Sequence, residues 1–276
     1  MTESDDGSAD RDLLVTRDGG ILRLTLNRPK RRNALTAAMV DAIGDALESA
    51  DLDETTRVVV LRGEGADFCS GFDIAGPGGP GGGGTRERPR TGHMQRGLHA
   101  NAHRLVRILS EVQLPVVAAV RGWAAGFGTA LALSADVVVA TPDARFWVPF
   151  VPRGFTPDSA TTYLLPRLVG LSRAKEMILR GKPIDGATAA AWGLISACVA
   201  DDELDAASDT VVAEFATAAT VAVGLAKRLL HQNLGVDIGA ALHNEAMAEE
   251  LALRSDDFKE GMRAFGERRP PNYTGR

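Results

Sequence analysis

The sequence has few cysteines, few aromatic residues and no uninterrupted apolar run long enough to cross a membrane. Cys69 and Cys198 are the only cysteines among 276 residues. They are too few and too far apart in sequence for a disulfide framework or a zinc-ligand cluster. The most apolar stretch, residues 122–140, contains three glycines and Asp136, which argues against a membrane span. The acidic N-terminus has no apolar segment of the signal-peptide type, so we expect a cytoplasmic protein.

Positive charges are outnumbered by negative charges, 31 to 36, so the formal net charge is −5. Residues 1–12 contain five acidic residues and one arginine, so they carry four of these five negative charges. This composition predicts a disordered acidic tail on a nearly neutral body. An acidic chain without a large basic surface is a poor candidate for binding nucleic acid, although a local basic group could still hold a phosphate.

Glycine, in contrast, is abundant but unevenly distributed. Seven of the thirty glycines lie in residues 76–84, whose sequence is GPGGPGGGG. A segment of this composition cannot pack a hydrophobic core, so it predicts a mobile surface loop. Outside that segment the glycine content is close to that of an ordinary globular protein.

Short apolar strands alternate with helical patterns over the first two thirds of the chain. Strands are predicted at Ile21–Leu26, Val58–Leu61, Val116–Val120, Val137–Ala140, Phe146–Val148 and Leu194–Val199. Helices are predicted over 34–50, 93–111, 129–134, 160–170, 172–180 and 187–193. This alternation favours an α/β core of parallel strands. After residue 202 the sequence pattern predicts only helices. Neither the G-x-G-x-x-G turn nor a P-loop is present, so a dinucleotide or nucleoside triphosphate fold is not supported.

Several motifs, taken in order, resemble those of the enoyl-CoA hydratase/isomerase (crotonase) superfamily. The stretches that carry the resemblance are Leu26–Thr36, Val58–Ile74, Val116–Ala140 and Asp257–Pro270. The resemblance implies a crotonase-like spiral of ββα repeats over residues 13–201 and a helical trimerisation region over residues 202–276. It also implies an acyl-CoA thioester substrate, no cofactor beyond the coenzyme A of that substrate, and a homotrimer or dimer of trimers.

Two backbone amides are expected to stabilise the thioester oxygen when it becomes negatively charged, as in other oxyanion holes. The resemblance assigns this role to the amides of Phe72 and Phe127. Phe72 follows Ser70 and Gly71, and Phe127 follows Gly126. Both phenylalanines stand where relatives have small residues, so we expect them to reshape the acyl channel. Asp73 and Ile74 complete the first motif, and Asp73 is expected to hold the loop.

The resemblance also predicts the residues that bind coenzyme A and the acyl group. Basic side chains would contact the phosphates of coenzyme A, and an aromatic ring would line the adenine side. The acyl channel would be lined by aromatic rings, whose bulk suggests a large or cyclic acyl group. These positions are Lys30, Arg31, Arg32 and Arg268 for the phosphates, Phe265 for the adenine, and Phe150 and Phe155 for the acyl channel.

The two positions at which hydratases of the superfamily carry glutamates hold Ala130 and Phe150, which cannot transfer protons. Asp158 lies in a sequence similar to the one that carries the proton-shuttling aspartate of certain isomerases. We therefore predict an enoyl-CoA isomerase with Asp158 as its base. Alternatives are a hydratase or thioester hydrolase with unusual catalytic residues, and a non-catalytic acyl-CoA binder. Asp158 could also simply begin a helix, because Thr156-Pro157-Asp158 has the composition of a helix start.

Three histidines follow the glycine-rich segment, and His99 and His103 are four residues apart on one face of the predicted helix. Two histidines with no acidic companion at fixed spacing are a weak metal signal, so no metal is predicted. A packed or surface role is the better interpretation of His93, His99 and His103. If one of them faced Asp158, hydrolytic chemistry would gain support. We also hypothesise that residues 76–84 form a lid at the mouth of the pocket.

Overall fold

The structure is a computed structural model that describes residues 12–74 and 90–276. The predicted acidic tail, except for its last residue, and the glycine-rich segment 76–84 with its hypothetical lid role lie outside the described residues. The strands are β1 (Leu13–Asp18), β2 (Ile21–Leu26), β3 (Val58–Gly63), β4 (Val116–Val120), β5 (Trp123–Ala125), β6 (Val137–Ala140), β7 (Arg145–Trp147), β8 (Ile184–Asp185) and β9 (Ala197–Cys198).

The helices follow the strands in alternation and then stand alone at the C-terminus. They are α1 (Ala37–Asp51), α2 (His93–Ala100), α3 (Ala102–Glu111), α4 (Phe127–Leu133), α5 (Thr161–Arg180), α6 (Gly186–Trp192), α7 (Leu204–Ala216), α8 (Thr220–Asn233), α9 (Ile238–Ala252) and α10 (Asp256–Glu267). Short 3₁₀ turns occupy Pro29–Arg31, Val151–Arg153 and Asp201–Glu203. The order confirms the expected α/β core and helical C-terminal region.

A six-stranded sheet in the order β1-β2-β3-β4-β6-β9 forms the centre of the fold. All pairs are parallel except β1 with β2, which form an antiparallel hairpin through Gly19 and Gly20. Both glycines have positive φ, as a tight hairpin turn requires. A second, three-stranded sheet has the order β5-β7-β8.

The central strands are apolar on both faces because helices cover both faces of the sheet. Leu24, Leu61 and Ala118 lie in register across β2, β3 and β4, and their face packs against α1, α3 and α4. On the other face Val60 and Val117 pack against α7 through Val212 and Phe215. The continuous apolar pattern of these strands is typical of a parallel sheet buried between helices.

Some predicted boundaries are wrong, and each difference has a local cause. The single helix expected over 93–111 is two helices, because Asn101 has non-helical dihedral angles and its side chain bonds to Asp41 on α1. The last strand is shorter than the predicted Leu194–Val199, since only Ala197 and Cys198 pair with β6. Strands β1, β5 and β8 were not predicted, because they are edge or very short strands.

The predicted helices 160–170 and 172–180 are the two parts of α5, which is kinked at Gly170 by non-helical dihedral angles of φ +77° and ψ +162°. Asp158 precedes this helix, so the alternative that Asp158 lies in its first turn is wrong. Within the described residues no single helix is long and apolar enough to span a membrane. One bent pair, Asp201–Ala216 with Thr220–Asn233 at 107°, meets the length and composition test.

Candidate active site

Two loops that follow different strands are held side by side by main-chain hydrogen bonds. Cys69 forms a parallel bridge with Ala124 of β5. The Cys69 amide donates to the carbonyl oxygen of Trp123 at 2.7 Å, and the Ala125 amide donates to the carbonyl oxygen of Cys69 at 2.9 Å. The segment Ser70-Gly71-Phe72 therefore lies beside the start of α4, which is the pairing that two convergent amides require.

Glycine is needed at two positions in this contact because the backbones approach so closely. A Cβ atom on Gly71 would lie 2.8 Å from the carbonyl oxygen of Ala125 and 3.4 Å from the amide nitrogen of Phe127. A Cβ atom on Gly128 would lie 2.3 Å from the carbonyl oxygen of Cys69. These distances show that the Phe127 amide is next to the Gly71-Phe72 segment, and that no larger residue fits between the two loops.

The amides of Phe72 and Phe127 are both free to bind a ligand. Leu35 bridges to Phe72 by accepting from the Asp73 amide and donating to the Gly71 carbonyl, which turns the Phe72 amide away from Leu35. Phe127 is the first residue of α4, where amides have no partner inside the helix. Among residues 12–74 and 90–276, neither amide has a hydrogen-bond acceptor.

The left-handed conformation needed before α4 falls on Gly126 rather than on Phe127. Gly126 has φ +57°, whereas Phe127 is not among the residues with positive φ. A glycine adopts this conformation without strain, so a phenylalanine is tolerated at the next position. Phe127 itself therefore avoids the left-handed region.

The two phenylalanine rings stack on each other, with centroids 4.8 Å apart and an interplanar angle of 24°. Phe127 is buried and Phe72 is half-buried. Stacking of this kind contributes about 1 kcal/mol beyond the buried area. The rings thus help to fix the two loops whose amides are free, in addition to filling the core.

A buried asparagine and an arginine brace the first loop from behind. Asn33 is fully buried with φ +53°, and its Nδ2 donates to the carbonyl oxygens of Glu64 and Asp67. Arg28 donates to a carboxylate oxygen of Asp73 at 3.0 Å. This ion pair is what a loop-holding role for Asp73 requires. Sequence reasoning did not single out Arg28 or Asn33, since their partners lie 31 to 45 residues away.

The basic segment Lys30-Arg31-Arg32 is exposed and lies next to Ser70. The Ser70 amide donates to the carbonyl oxygen of Arg32 at 2.9 Å, and the Ser70 hydroxyl donates to that of Arg31 at 3.4 Å. These bonds attach the positive charges to the loop that carries the Phe72 amide. Ile74, at the end of the same loop, is exposed.

The two positions that carry glutamates in hydratases are buried and apolar. Ala130 is fully buried inside α4, and Phe150 is 6% exposed. A Cβ atom on Gly126 would lie 3.9 Å from the Phe150 ring, so this ring faces the start of α4. Phe150 also packs edge-to-face on the exposed ring of Phe155, with centroids 5.2 Å apart.

Asp158 is half-buried in the irregular segment between the 3₁₀ turn at Val151–Arg153 and α5. Its Oδ1 accepts a hydrogen bond from the Ser159 hydroxyl at 2.7 Å. Nε2 of His103 lies 2.6 Å from the main-chain carbonyl oxygen of Asp158. A histidine therefore contacts Asp158 through its backbone, and not through its carboxylate.

The backbone beside Asp158 has a glycine-like conformation although glycine is absent. Ala160 has φ +60° and ψ +5°, in the left-handed region. The chain thus adopts at Ala160 a conformation that glycine accommodates more easily, at a cost of about 1–2 kcal/mol.

The predicted residues of the C-terminal motif lie at the end of α10. Phe265 is 82% exposed, and Arg268 is exposed with a left-handed backbone that ends the helix. In the part of the chain that the structure describes, neither side chain forms a hydrogen bond, ion pair or ring contact with the two loops that carry the Phe72 and Phe127 amides. Both remain open to a ligand or to a second protein chain.

Neither a thiolate nor a metal centre is indicated by the described residues. Burial raises the pKa of the Cys69 thiol to about 12, so this thiol is protonated and unreactive in the folded protein. Across residues 12–74 and 90–276, no group of three or more His, Cys, Asp or Glu side chains is arranged to hold a metal ion.

The arrangement of the sheet, the paired loops and the C-terminal helices is that of the crotonase fold. The chain belongs to the enoyl-CoA hydratase/isomerase family, whose model matches residues 16–276. It is 34% identical over 261 residues to 1,2-epoxyphenylacetyl-CoA isomerase of Escherichia coli, covering 93% of this chain and 96% of the relative. It is 33% identical over 265 residues to 2,3-dehydroadipyl-CoA hydratase of the same organism, covering 96% and 99%.

Solved structures agree with the sequence relatives. The crystal structure of an enoyl-CoA hydratase from Mycobacterium smegmatis superposes with a TM-score of 0.86 at 30% identity, covering 96% of this chain and 99% of that one. An enoyl-CoA hydratase from Bacillus anthracis superposes with a TM-score of 0.87 at 28% identity, covering 96% and 100%. The chain is therefore an acyl-CoA enzyme at the level of the family.

Proposed function

We propose that this protein is an enoyl-CoA isomerase that moves a double bond by proton transfer through Asp158. The observation that carries the proposal is the pair of buried apolar residues, Ala130 and Phe150, at the two positions where hydratases have carboxylates. Hydration needs groups that activate a water and protonate carbon, and neither residue can do this. Asp158 offers a carboxylate in the segment that precedes α5.

The chemistry needs one base and one oxyanion hole. The Asp158 carboxylate removes a proton from C2 of a 3-enoyl-CoA, and the electron pair moves into the thioester carbonyl. The resulting dienolate oxygen accepts hydrogen bonds from the amides of Phe72 and Phe127. Asp158 then returns the proton at C4, which forms the 2,3 double bond and regenerates the carbonyl. No water enters the product and no cofactor is consumed.

Substrate binding follows from the residues around these groups. Lys30, Arg31 and Arg32 would hold the coenzyme A phosphates beside Ser70 and the Phe72 amide. Arg268 would also contact the phosphates and Phe265 would line the adenine side. The exposure of both residues allows them to serve either their own site or that of a second chain in a homotrimer or dimer of trimers. The rings of Phe150 and Phe155 would line the acyl channel and favour a bulky or cyclic acyl group.

The names of the relatives are compatible with an isomerase and also with a hydratase. One relative is named as an isomerase of an aromatic epoxyacyl-CoA, and another is named as a hydratase. The name of the first fits a channel lined by aromatic rings and a reaction that leaves the substrate's composition unchanged. The buried Ala130 and Phe150 then favour the isomerase for this chain.

The decisive experiment follows conversion of a 3-enoyl-CoA to the conjugated 2-enoyl-CoA by absorbance. We expect turnover by the wild type, a loss of about 10³-fold or more in Asp158→Asn, and unchanged turnover in Asp202→Asn. Asp202 is an exposed carboxylate of the 3₁₀ turn at Asp201–Glu203 and serves as the control.

Other results would identify the alternatives. Full activity of Asp158→Asn would overturn the mechanism. Hydration of crotonyl-CoA, or hydrolysis of an acyl-CoA, at rates above isomerisation would assign a hydratase or a thioester hydrolase. Tight binding of acyl-CoA without turnover of any of these thioesters would identify a non-catalytic binder.

A further inference from the structure

His103 joins α3 to the segment that carries Asp158. Its Nε2 lies 2.6 Å from the main-chain carbonyl oxygen of Asp158, and the two residues are 55 apart in sequence. A carbonyl oxygen can only accept a hydrogen bond, so Nε2 carries a proton and donates it. The contact thus fixes both the ring's protonated nitrogen and the position of the Asp158 backbone.

The main chain around Asp158 has little other support. Residues 155–160 form no regular structure, and Ala160 has a left-handed φ of +60°. In the described part of the chain, the bond from His103 is the only hydrogen bond to the main chain of residues 156–159. Removing the donor would leave this short segment free to shift.

The carboxylate of Asp158 is held separately from its backbone. Ser159 is fully buried and its hydroxyl donates to Oδ1 at 2.7 Å. Within residues 12–74 and 90–276, Oδ2 accepts no hydrogen bond. One carboxylate oxygen is therefore oriented by Ser159, and the other is available to take a proton.

We infer that His103 is a positioning residue for the isomerase reaction, which places the Asp158 carboxylate by holding its main chain; this inference rests on the function proposed above. A shift of about 1 Å at a catalytic base can lower a rate by about 10²-fold without changing ground-state binding. The effect is expected in kcat, because His103 acts on the base and not on the coenzyme A contacts.

The role of His103 is geometric and does not depend on its charge. The bond to the carbonyl oxygen needs only a donor at the position of Nε2 and no charge on the side chain. A neutral glutamine, whose amide nitrogen reaches about as far along the side chain as Nε2, should therefore restore the function. A phenylalanine keeps the shape of the ring and removes the donor.

The experiment compares three variants in the full-length protein, with 3-enoyl-CoA as substrate. We expect His103→Phe to lower kcat by about 10–100-fold with KM close to that of the wild type. His103→Gln should recover most of the loss. His99→Phe is the matched control, since His99 is exposed, lies on α2, and its ring is nearly perpendicular to the His103 ring with the centroids 6.4 Å apart. It should retain wild-type kcat.

A second readout isolates the proton transfer. In D₂O, a saturated acyl-CoA exchanges its C2 protons with solvent when Asp158 acts as a base, and NMR measures this exchange. His103→Phe should slow the exchange by the same factor as kcat, and His103→Gln should not. If the phenylalanine variant fails to fold, His103→Asn, whose amide is too short to reach Asp158, takes its place.

The outcomes separate this inference from the proposed function. If Asp158→Asn is inactive while His103→Phe keeps full kcat, or if folded His103→Gln is as impaired as His103→Phe, the positioning role is wrong and the isomerase mechanism stands. If Asp158→Asn keeps its activity, the proposed function itself fails.

Discussion

Lys227 of α8 reaches the sheet and forms a buried ion pair with Asp136, with Nζ 2.7 Å from Oδ2. Nζ also donates to the carbonyl oxygen of Leu114 at 3.0 Å, and the same carboxylate oxygen accepts from the amide of Val116. Burial lowers the pKa of Lys227, and the nearby Asp136 carboxylate only partly opposes this effect. Burying the lysine charge is therefore unfavourable, and its two hydrogen bonds, to Leu114 and Asp136, hold it in place.

Replacing this lysine should destabilise the protein strongly. Lys227→Met leaves the Asp136 carboxylate without its cation and the Leu114 carbonyl without its donor. Removing one member of a buried pair costs about 3–5 kcal/mol, and we expect the lower end because Asp136 keeps 21% side-chain exposure. Urea unfolding measures the loss of stability.

Lys175→Met on the exposed face of α5 is the control and should change the free energy of unfolding by less than about 0.5 kcal/mol. Equal losses in the two variants would contradict a specific role for the pair.

Gly128 lies at a close approach between the two loops that carry the Phe72 and Phe127 amides. In Gly128→Ala the new methyl group would meet the Cys69 carbonyl oxygen at 2.3 Å, so the loops must separate. We expect a loss of stability of about 2–3 kcal/mol and a fall in isomerase kcat of about 10²-fold or more, because the Phe127 amide would move.

Gly97→Ala is the matched control for this substitution. Gly97 lies inside α2 with open space around its Cα, so alanine should stabilise the helix by up to about 1 kcal/mol. Thermal unfolding of both variants, with kcat of the first, provides the measurement. A fully active and stable Gly128→Ala would show that the two loops do not need their close approach.

Ala160 offers a substitution that should increase stability. Its left-handed φ of +60° strains an alanine by about 1–2 kcal/mol, and glycine removes that strain while adding about 0.4–1 kcal/mol of unfolded-state entropy. Ala160→Gly should therefore raise the free energy of unfolding by about 0.5–1 kcal/mol. Ala213→Gly, at an exposed site inside α7, should lower it by about 1 kcal/mol. If both variants lose stability equally, the strain at Ala160 is absent.

The strands and motif positions could be predicted from the sequence because each depends on neighbouring residues. The apolar runs at β3, β4 and β6 indicate strands buried on both faces, and the family motifs place the amides of Phe72 and Phe127. The contact between His103 and Asp158 spans 55 residues and joins a side chain to a backbone carbonyl. No local pattern encodes such a contact, so the sequence singled out both residues without relating them in this way.

Other differences arise where tertiary contacts outweigh local preference. The pattern over 93–111 predicts one helix, yet Asn101 bonds to Asp41 and divides it. The composition Thr156-Pro157-Asp158 predicts a helix start, yet α5 begins at Thr161. In this second case the His103 bond and the Ser159 hydroxyl hold the residues ahead of the helix, which keeps Asp158 outside it.

The hydrogen bonds to the Asp53 carboxylate predict a loss of stability in acid. The hydroxyl of Thr56, followed by the amide and hydroxyl of Thr55, hydrogen-bonds the carboxylate and lowers the pKa of Asp53 from 3.8 to about 2. Between these values the unfolded chain binds more protons than the folded chain. The contribution of Asp53 to stability is therefore fully present above about pH 4 and is lost as the pH falls through about 2.

The measurement compares urea midpoints of the wild type and Asp53→Asn at about pH 5, 3.5 and 2. The variant should be less stable at the highest pH, because asparagine accepts fewer of these hydrogen bonds, and the difference should shrink steadily toward the lowest pH. Other carboxylates titrate in both proteins, so they cancel in the difference. A constant gap between the wild type and Asp53→Asn would mean that the threonine hydroxyls do not favour the ionised form of Asp53.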